Sequence, residues 1–197
     1  MTPPDRVPDG STPCLPISRI AIIGAGAAGR DFARSCLRAG MDILLEDIMP
    51  ANLRQAEADL SPSSGLLTLV STVEDAVRDA DLAIDFVPDE LESKLEIFSM
   101  IDRMAPPRTI LCTPTEVLSI TDLASCVYRP DRCLALRGLP FASPSAAGAT
   151  LKLLYPRWAS SESIHDLERF LAQLGFQSET IADPDAPTLV KNLDAPN

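Results

Sequence analysis

Apolar residues fall along this chain in two alternating patterns. Short apolar runs recur at Arg19–Ile23, Ile43–Glu46, Leu66–Ser71, Leu82–Val87, Thr109–Cys112, Cys133–Leu139, Thr150–Leu154 and Gln177–Ile181. Runs of this length, bounded by turn residues, suit strands buried on both faces. Between them lie segments whose apolar positions repeat every three or four residues. In Ala27–Ala39, Phe32, Ala33, Cys36 and Leu37 share one face, Arg30, Arg34 and Arg38 recur on another, and Gly40 is placed to cap the end. In Leu91–Met104 the inner face is Leu91, Leu95, Phe98 and Ile101. In Ser163–Leu174 it is Ile164, Leu167, Leu171 and Leu174, with Gly175 as the stop. Pro50–Leu60, Val73–Asp79 and Thr121–Cys126 make shorter helices, and Ser61–Gly65 a turn. Strand alternating with helix predicts an α/β fold with right-handed crossovers and a parallel sheet.

The 197-residue length suits one domain, and a hydrophobic fraction of 46% supports a real core. Residues 1–17 carry Pro3, Pro4, Pro8, Pro13 and Pro16 with few apolar neighbours, so a disordered tail is expected there. The expected division is therefore a tail over 1–17, a domain over 18–185 and a short remnant over 186–197. A net charge of −11 argues against nucleic acid or an anionic membrane as partner. No apolar run is long enough to span a bilayer, and no basic-then-apolar leader opens the chain, so the expected location is the cytoplasm. Cys14, Cys36, Cys112, Cys126 and Cys133 are odd in number and form no Cys-x-x-Cys, as expected of reduced thiols. No metal site is expected.

The first run is followed by Gly24-Ala25-Gly26-Ala27-Ala28-Gly29. Gly24 permits the tight turn, Gly26 lets backbone approach a pyrophosphate, and Gly29 lets the helix pack closely on the sheet. The phosphates would lie at the helix N-terminus, where free N–H groups and the dipole favour anions. Asp47 stands 23 residues after Gly24, at the end of the second strand. A carboxylate there accepts from the ribose hydroxyls and repels a 2′-phosphate, so the expected cofactor is NAD rather than NADP. Alternatively Asp47 is a loop acid ahead of Pro50, with Glu46 the neighbour that does the ribose work. The whole pattern predicts a Rossmann-type, doubly wound, mainly parallel sheet with helices on both faces.

The order of motifs resembles the NAD-binding domain of the 3-hydroxyacyl-CoA dehydrogenases. Its landmarks are Ile-Ile-Gly-Ala-Gly-Ala-Ala-Gly, Leu-Glu-Asp at 45–47, Asp-Phe-Val-Pro-Asp-Glu-Leu-Glu-Ser-Lys at 85–94, Leu-Ser-Ile-Thr-Asp-Leu-Ala at 118–124 and Gly-Leu-Pro-Phe-Ala-Ser-Pro at 138–144. The resemblance implies cofactor contacts at Gly24, Gly26, Ala27, Ala28, Gly29, Asp47, Val87, Pro88, Asp89, Lys94 and Thr115. It also implies a catalytic His–Glu dyad, and here the sequence departs. The family's Gly-Leu-His-Phe-Phe-Asn-Pro places its histidine at Pro140 and its asparagine at Ser143. The partner glutamate, twelve residues on, is Lys152, and the substrate-facing serine is Glu116. Asn192 survives from a later motif, while Thr188 and Leu193 replace its glycine and arginine. Proline exchanges no proton, and the chain's single histidine, His165, sits in an outer helix as an expected surface residue. The family's helical domain, which completes the acyl-CoA site and the dimer, is expected to be missing beyond Asn197.

These departures leave three readings. The first is an NAD(H)-binding relative without the family's activity, serving as a cofactor sensor or binding a second protein subunit. The second is an active oxidoreductase on another hydroxy or keto substrate, using Lys152, Glu116 or a partner subunit. The third is an assembly protein with a vestigial nucleotide site.

Overall fold

The computed structural model describes residues 16–60, 64–139, 150–183 and 187–189. Its elements are β1 (Arg19–Ile23), α1 (Ala27–Arg38), β2 (Asp42–Glu46), α2 (Pro50–Asp59), β3 (Leu67–Val70), α3 (Val73–Val77), β4 (Leu82–Asp85), α4 (Leu91–Met104), β5 (Ile110–Pro114), α5 (Ile120–Ser125), β6 (Cys133–Arg137), β7 (Thr150–Tyr155), α6 (Ser161–Gln173) and β8 (Gln177–Ala182), with one 3-10 turn at Pro130–Arg132. They build a single sheet in the order β3-β2-β1-β4-β5-β6-β7-β8. Strands β1 to β6 all pair in parallel. The strand order reverses between β1 and β4, where such sheets open a crevice at their carboxyl ends.

Helices cover both faces because the central strands are apolar on both. On one face Ile20, Ile22, Ile43 and Leu45 pack with Phe32, Cys36 and Leu37 of α1 and with Leu167, Phe170 and Leu171 of α6. On the other, Ala21, Ile23, Ala83 and Leu111 meet Ala76 and Val77 of α3, Phe98 and Ile101 of α4, and Ile120 and Leu123 of α5. Ile17, in the last part of the expected tail, is buried within the first cluster.

The structure corrects several sequence expectations. The sheet is mainly parallel, as expected; the one antiparallel pairing among the described strands is that of β7 with β6, and β8 runs parallel to β7. A parallel return needs a helical crossover, and the sequence between β6 and β7 (138–149) carries no helical repeat. Strand β4 stops at Asp85 rather than Val87; the Phe86 amide makes the last bond of its ladder with β1, to the Ile23 carbonyl at 2.6 Å. Helix α6 starts two residues early because the Ser160 hydroxyl accepts from the Ser163 amide and fixes the first turn there. In α4 Leu91 is exposed, and Lys94 takes the buried position one turn before Phe98. Ser61–Gly65 is described only from residue 64, yet Gly65 is informative. A Cβ there would stand 2.0 Å from the Met41 carbonyl oxygen, so this turn crosses the backbone too closely for a side chain.

Candidate functional site

The glycine loop leaves β1 at the point where the strand order reverses. Gly24 has φ +104, and its amide donates to the Glu46 carbonyl at 2.9 Å. Gly26 is the N-cap of α1; no side chain caps this helix and its first turn holds no acid. A Cβ on Gly26 would meet no atom within 4 Å. The helix N-terminus therefore faces open space with no side chain of its own over its first-turn amides, the arrangement that receives a phosphate. Ala27, Ala28 and Gly29 supply the first-turn amides. Residues present thus fit the phosphates of a dinucleotide.

Asp47 lies beside this loop and is buried. One carboxylate oxygen accepts from the Ala25 amide at 2.8 Å and from the Asn52 side chain at 3.0 Å. The other accepts from the Met49 amide at 2.7 Å. Asp47 therefore ties the glycine loop to β2 and turns the chain into α2. Three of the roughly four acceptor sites of this carboxylate are thus filled. These bonds are those of a loop acid. The next residue, Ile48, is 84% exposed, an apolar surface at the mouth of the crevice.

Glu46 takes a different role. Burial, and then the charge of Asp47, push its carboxyl up to about 7. The folded value lies above the unfolded one, about 4.3. Its favourable contribution is therefore complete below that value and is lost as pH rises through 7. Glu46→Gln is expected to match the parent near pH 4.5 and to be more stable by about 1–3 kcal/mol at pH 8. Denaturant unfolding at both pH values measures this; an equal difference at both would reject it.

Across the crevice, the carboxyl ends of β4, β5 and β6 are joined by polar contacts. Val87, Pro88 and Asp89 follow β4, and Asp89 accepts from the Glu116 amide at 2.9 Å. The Glu116 carboxylate accepts from the Gly138 amide at 2.8 Å, holding the segment that leaves β6. The Thr115 hydroxyl accepts from the Val117 and Leu118 amides at 3.3 and 2.9 Å, so it shapes its own loop. Lys94 lies beneath the rim, not on it: its ammonium is 1% exposed and donates to Asp85 at 2.7 Å and to the Pro114 carbonyl at 3.0 Å. Lys152 is exposed on β7, opposite Arg137. Among the described residues no hydrogen bond or ion pair joins Lys152 to Glu116. Pro140, Ser143 and Asn192 lie outside the described residues.

Sequence reasoning missed the partner of Asp85. An acid inside an apolar strand was the signal, since a buried charge demands a counter-charge. His165 is exposed, as expected. Cys36, Cys112 and Cys133 are buried and unbridged, and burial pushes each thiol far up, which leaves them unreactive. Among the described residues no His, Cys, Asp and Glu cluster suits a metal, and no helix is long and apolar enough to cross a membrane.

A glycine turn at the reversal point, an uncapped helix N-terminus and an acid at the end of β2 define a dinucleotide-binding Rossmann domain. The chain belongs to the 3-hydroxyacyl-CoA dehydrogenase family: residues 19–182 match the model of its NAD binding domain, and NAD is the cofactor. It is 26% identical over 191 residues to 5-formyl-3-hydroxy-2-methylpyridine 4-carboxylate 5-dehydrogenase of Mesorhizobium japonicum, covering 89% of this chain and 60% of that one. It is 25% identical over 196 residues to a probable 3-hydroxybutyryl-CoA dehydrogenase of Bacillus subtilis, covering 90% and 66%. The chain thus spans less than two thirds of the length of these curated relatives. The fold matches that of (S)-3-hydroxybutyryl-CoA dehydrogenase from Ralstonia eutropha with a TM-score of 0.76, at 21% identity over 85% of this chain and 64% of that one.

Proposed function

We propose that the domain over 18–185 binds NAD(H) and does not itself run the proton transfer of the family's His–Glu dyad. Gly24, Gly26, Ala27, Ala28 and Gly29 hold the phosphates, Asp47 holds the adenine ribose, and Val87, Pro88 and Asp89 line the nicotinamide side. The observation that carries this is the uncapped N-terminus of α1, open at Gly26 and flanked by the Asp47 carboxylate. Bound NAD supplies a hydride acceptor. What the chain lacks is the histidine that would take the hydroxyl proton, since His165 is its only one and stands on α6. Thr115 and Lys94 act by shaping the rim from below. The role that follows is a cofactor-responsive domain that works with a ligand or a second subunit.

A second reading, an active oxidoreductase, is favoured by the dehydrogenase names of the relatives. Those names cover a pyridine carboxylate and hydroxybutyryl-CoA, so kinship alone does not choose a substrate.

Titration of the full chain with NADH and NADPH, followed by nicotinamide fluorescence, tests the proposal. NADH is expected to bind at least about tenfold more tightly than NADPH, and Asp47→Ala to weaken NADH by at least about tenfold. A melting curve confirms that the variant folds. Absence of saturable NADH binding would overturn the cofactor assignment. Rapid reduction of acetoacetyl-CoA by the purified chain would overturn the loss of the dyad's chemistry.

A further inference from the structure

We propose that Arg137 and Lys152 form a subsite for the carboxylate of a small oxo or hydroxy acid. Arg137 is the last residue of β6, and β7 is antiparallel, so Lys152 comes back to the same carboxyl rim as the glycine loop and the Val87–Asp89 segment. The two residues are direct cross-strand partners, which puts their side chains on one face. Like charges so placed repel, and a protein places them there at a cost unless an anion lies between.

Among the described residues neither side chain forms an ion pair with an acid. Four other arginines are half-buried, and each has a carboxylate: Arg30 with Asp59, Arg34 with Asp31, Arg129 with Asp102 and Arg132 with Glu162. Arg137 is the exception. Its guanidinium donates only to backbone, to the Thr115 and Leu118 carbonyls at 3.3 Å each. Those bonds use two of its five N–H groups and hold the fork in place, with the others left for a ligand. Lys152 makes no ion pair among the described residues, although Glu179 lies in register with it on β8. The Glu116 carboxylate is held by the Gly138 amide. Residues 140–149, which connect the two strands, include no Asp or Glu. All this occurs in a chain of net charge −11, where acids are plentiful.

A planar fork held at one side, beside an exposed ammonium, suits a carboxylate, which accepts two parallel N–H bonds. The preference for an oxo or hydroxy acid rests on the NAD(H) reading, because the Asp89–Glu116 bond joins this rim to the nicotinamide side.

Calorimetry of the full chain with acetoacetate, methyl acetoacetate and inorganic phosphate, each with and without NADH, tests the subsite. Acetoacetate is expected to bind at least about tenfold more tightly than its neutral ester and than phosphate. Lys152→Glu is expected to weaken acetoacetate by at least about tenfold and to leave NADH affinity within about twofold. Lys152→Gln serves if the first variant does not fold. Equal binding of acid and ester, equal binding of phosphate, or an unaltered Lys152 variant would each overturn the subsite. Failure of acetoacetate to bind while NADH binds overturns the subsite alone. Failure of NADH while acetoacetate binds overturns the cofactor reading alone.

Discussion

Lys94→Met is expected to destabilise the fold by about 3–5 kcal/mol, the loss typical of a buried ion pair stripped of one partner. Methionine is close to lysine in volume, so a cavity is not the cause. The cause is Asp85, which is wholly buried on the central strand and meets the Lys94 ammonium at 2.7 Å, with both side chains at most 1% exposed. One oxygen of Asp85 already lacks a hydrogen bond. Burial raises the Asp85 carboxyl, and Lys94 pulls it back down. Without Lys94 the largest of the opposing influences is gone, and the carboxyl moves further up. A raised folded value means that the contribution is complete below the unfolded value, about 3.9, and lost as pH rises through the folded one. The deficit of the variant is therefore smaller at pH 5 than at pH 8. Asp85→Asn added to Lys94→Met removes the orphaned charge and is expected to recover about half the loss or more. Urea unfolding at the two pH values, for parent, single and double variants, measures all of this. A pH-independent deficit with no recovery would show that Lys94 acts through packing alone.

The Asp85–Lys94 pair also shows where sequence reading stopped. Lys94 shares the face of Leu91, Phe98 and Ile101 at helical spacing, so periodicity places it inward, but its charge hides that position until its partner is known. It is held inside by a carboxylate nine residues earlier, on another element. The same holds for Asp102 and Arg129, which pair at 2.8 Å across 27 residues and brace the end of α4. What periodicity does carry is the element order, since strands buried on both faces and helices buried on one differ in repeat. The glycine loop was legible because its chemistry is local: turn, open backbone and helix start lie within six residues. Asp47 was half legible, its spacing marking a rim acid while its bonds to Ala25, Met49 and Asn52 needed coordinates. The direction of β7 was not legible, because it depends on the connection over 138–149 and not on the strand itself. Arg137 was missed for a related reason. Only the pairing of β6 with β7 shows that it opposes Lys152.

Gly29→Ala is expected to cost about 3 kcal/mol or more, a large part of the 5–15 kcal/mol that holds an ordinary domain together. Its new Cβ would stand 1.9 Å from the Gly24 carbonyl oxygen and 3.1 Å from the carbonyl carbon. Neither atom is a side chain that can swing away. Gly24 is itself confined, by its bond to the Glu46 carbonyl and by Phe86 backbone 3.1 Å from where its own Cβ would be. Helix α1 would have to move off the sheet, opening the contacts of Phe32 and Leu37. Gly26→Ala separates this effect from ligand binding. Gly26 has φ −62, which alanine adopts freely, and nothing lies within 4 Å of the added carbon. Its stability is expected to stay within about 0.5 kcal/mol of the parent. Its NADH affinity is expected to fall by about tenfold or more, because the methyl group takes the space of the phosphates. Thermal melts and NADH titrations on the two variants therefore move in opposite columns: Gly29→Ala in the melt, Gly26→Ala in the titration. A Gly26→Ala protein that binds NADH as the parent does would place the phosphates away from the N-terminus of α1.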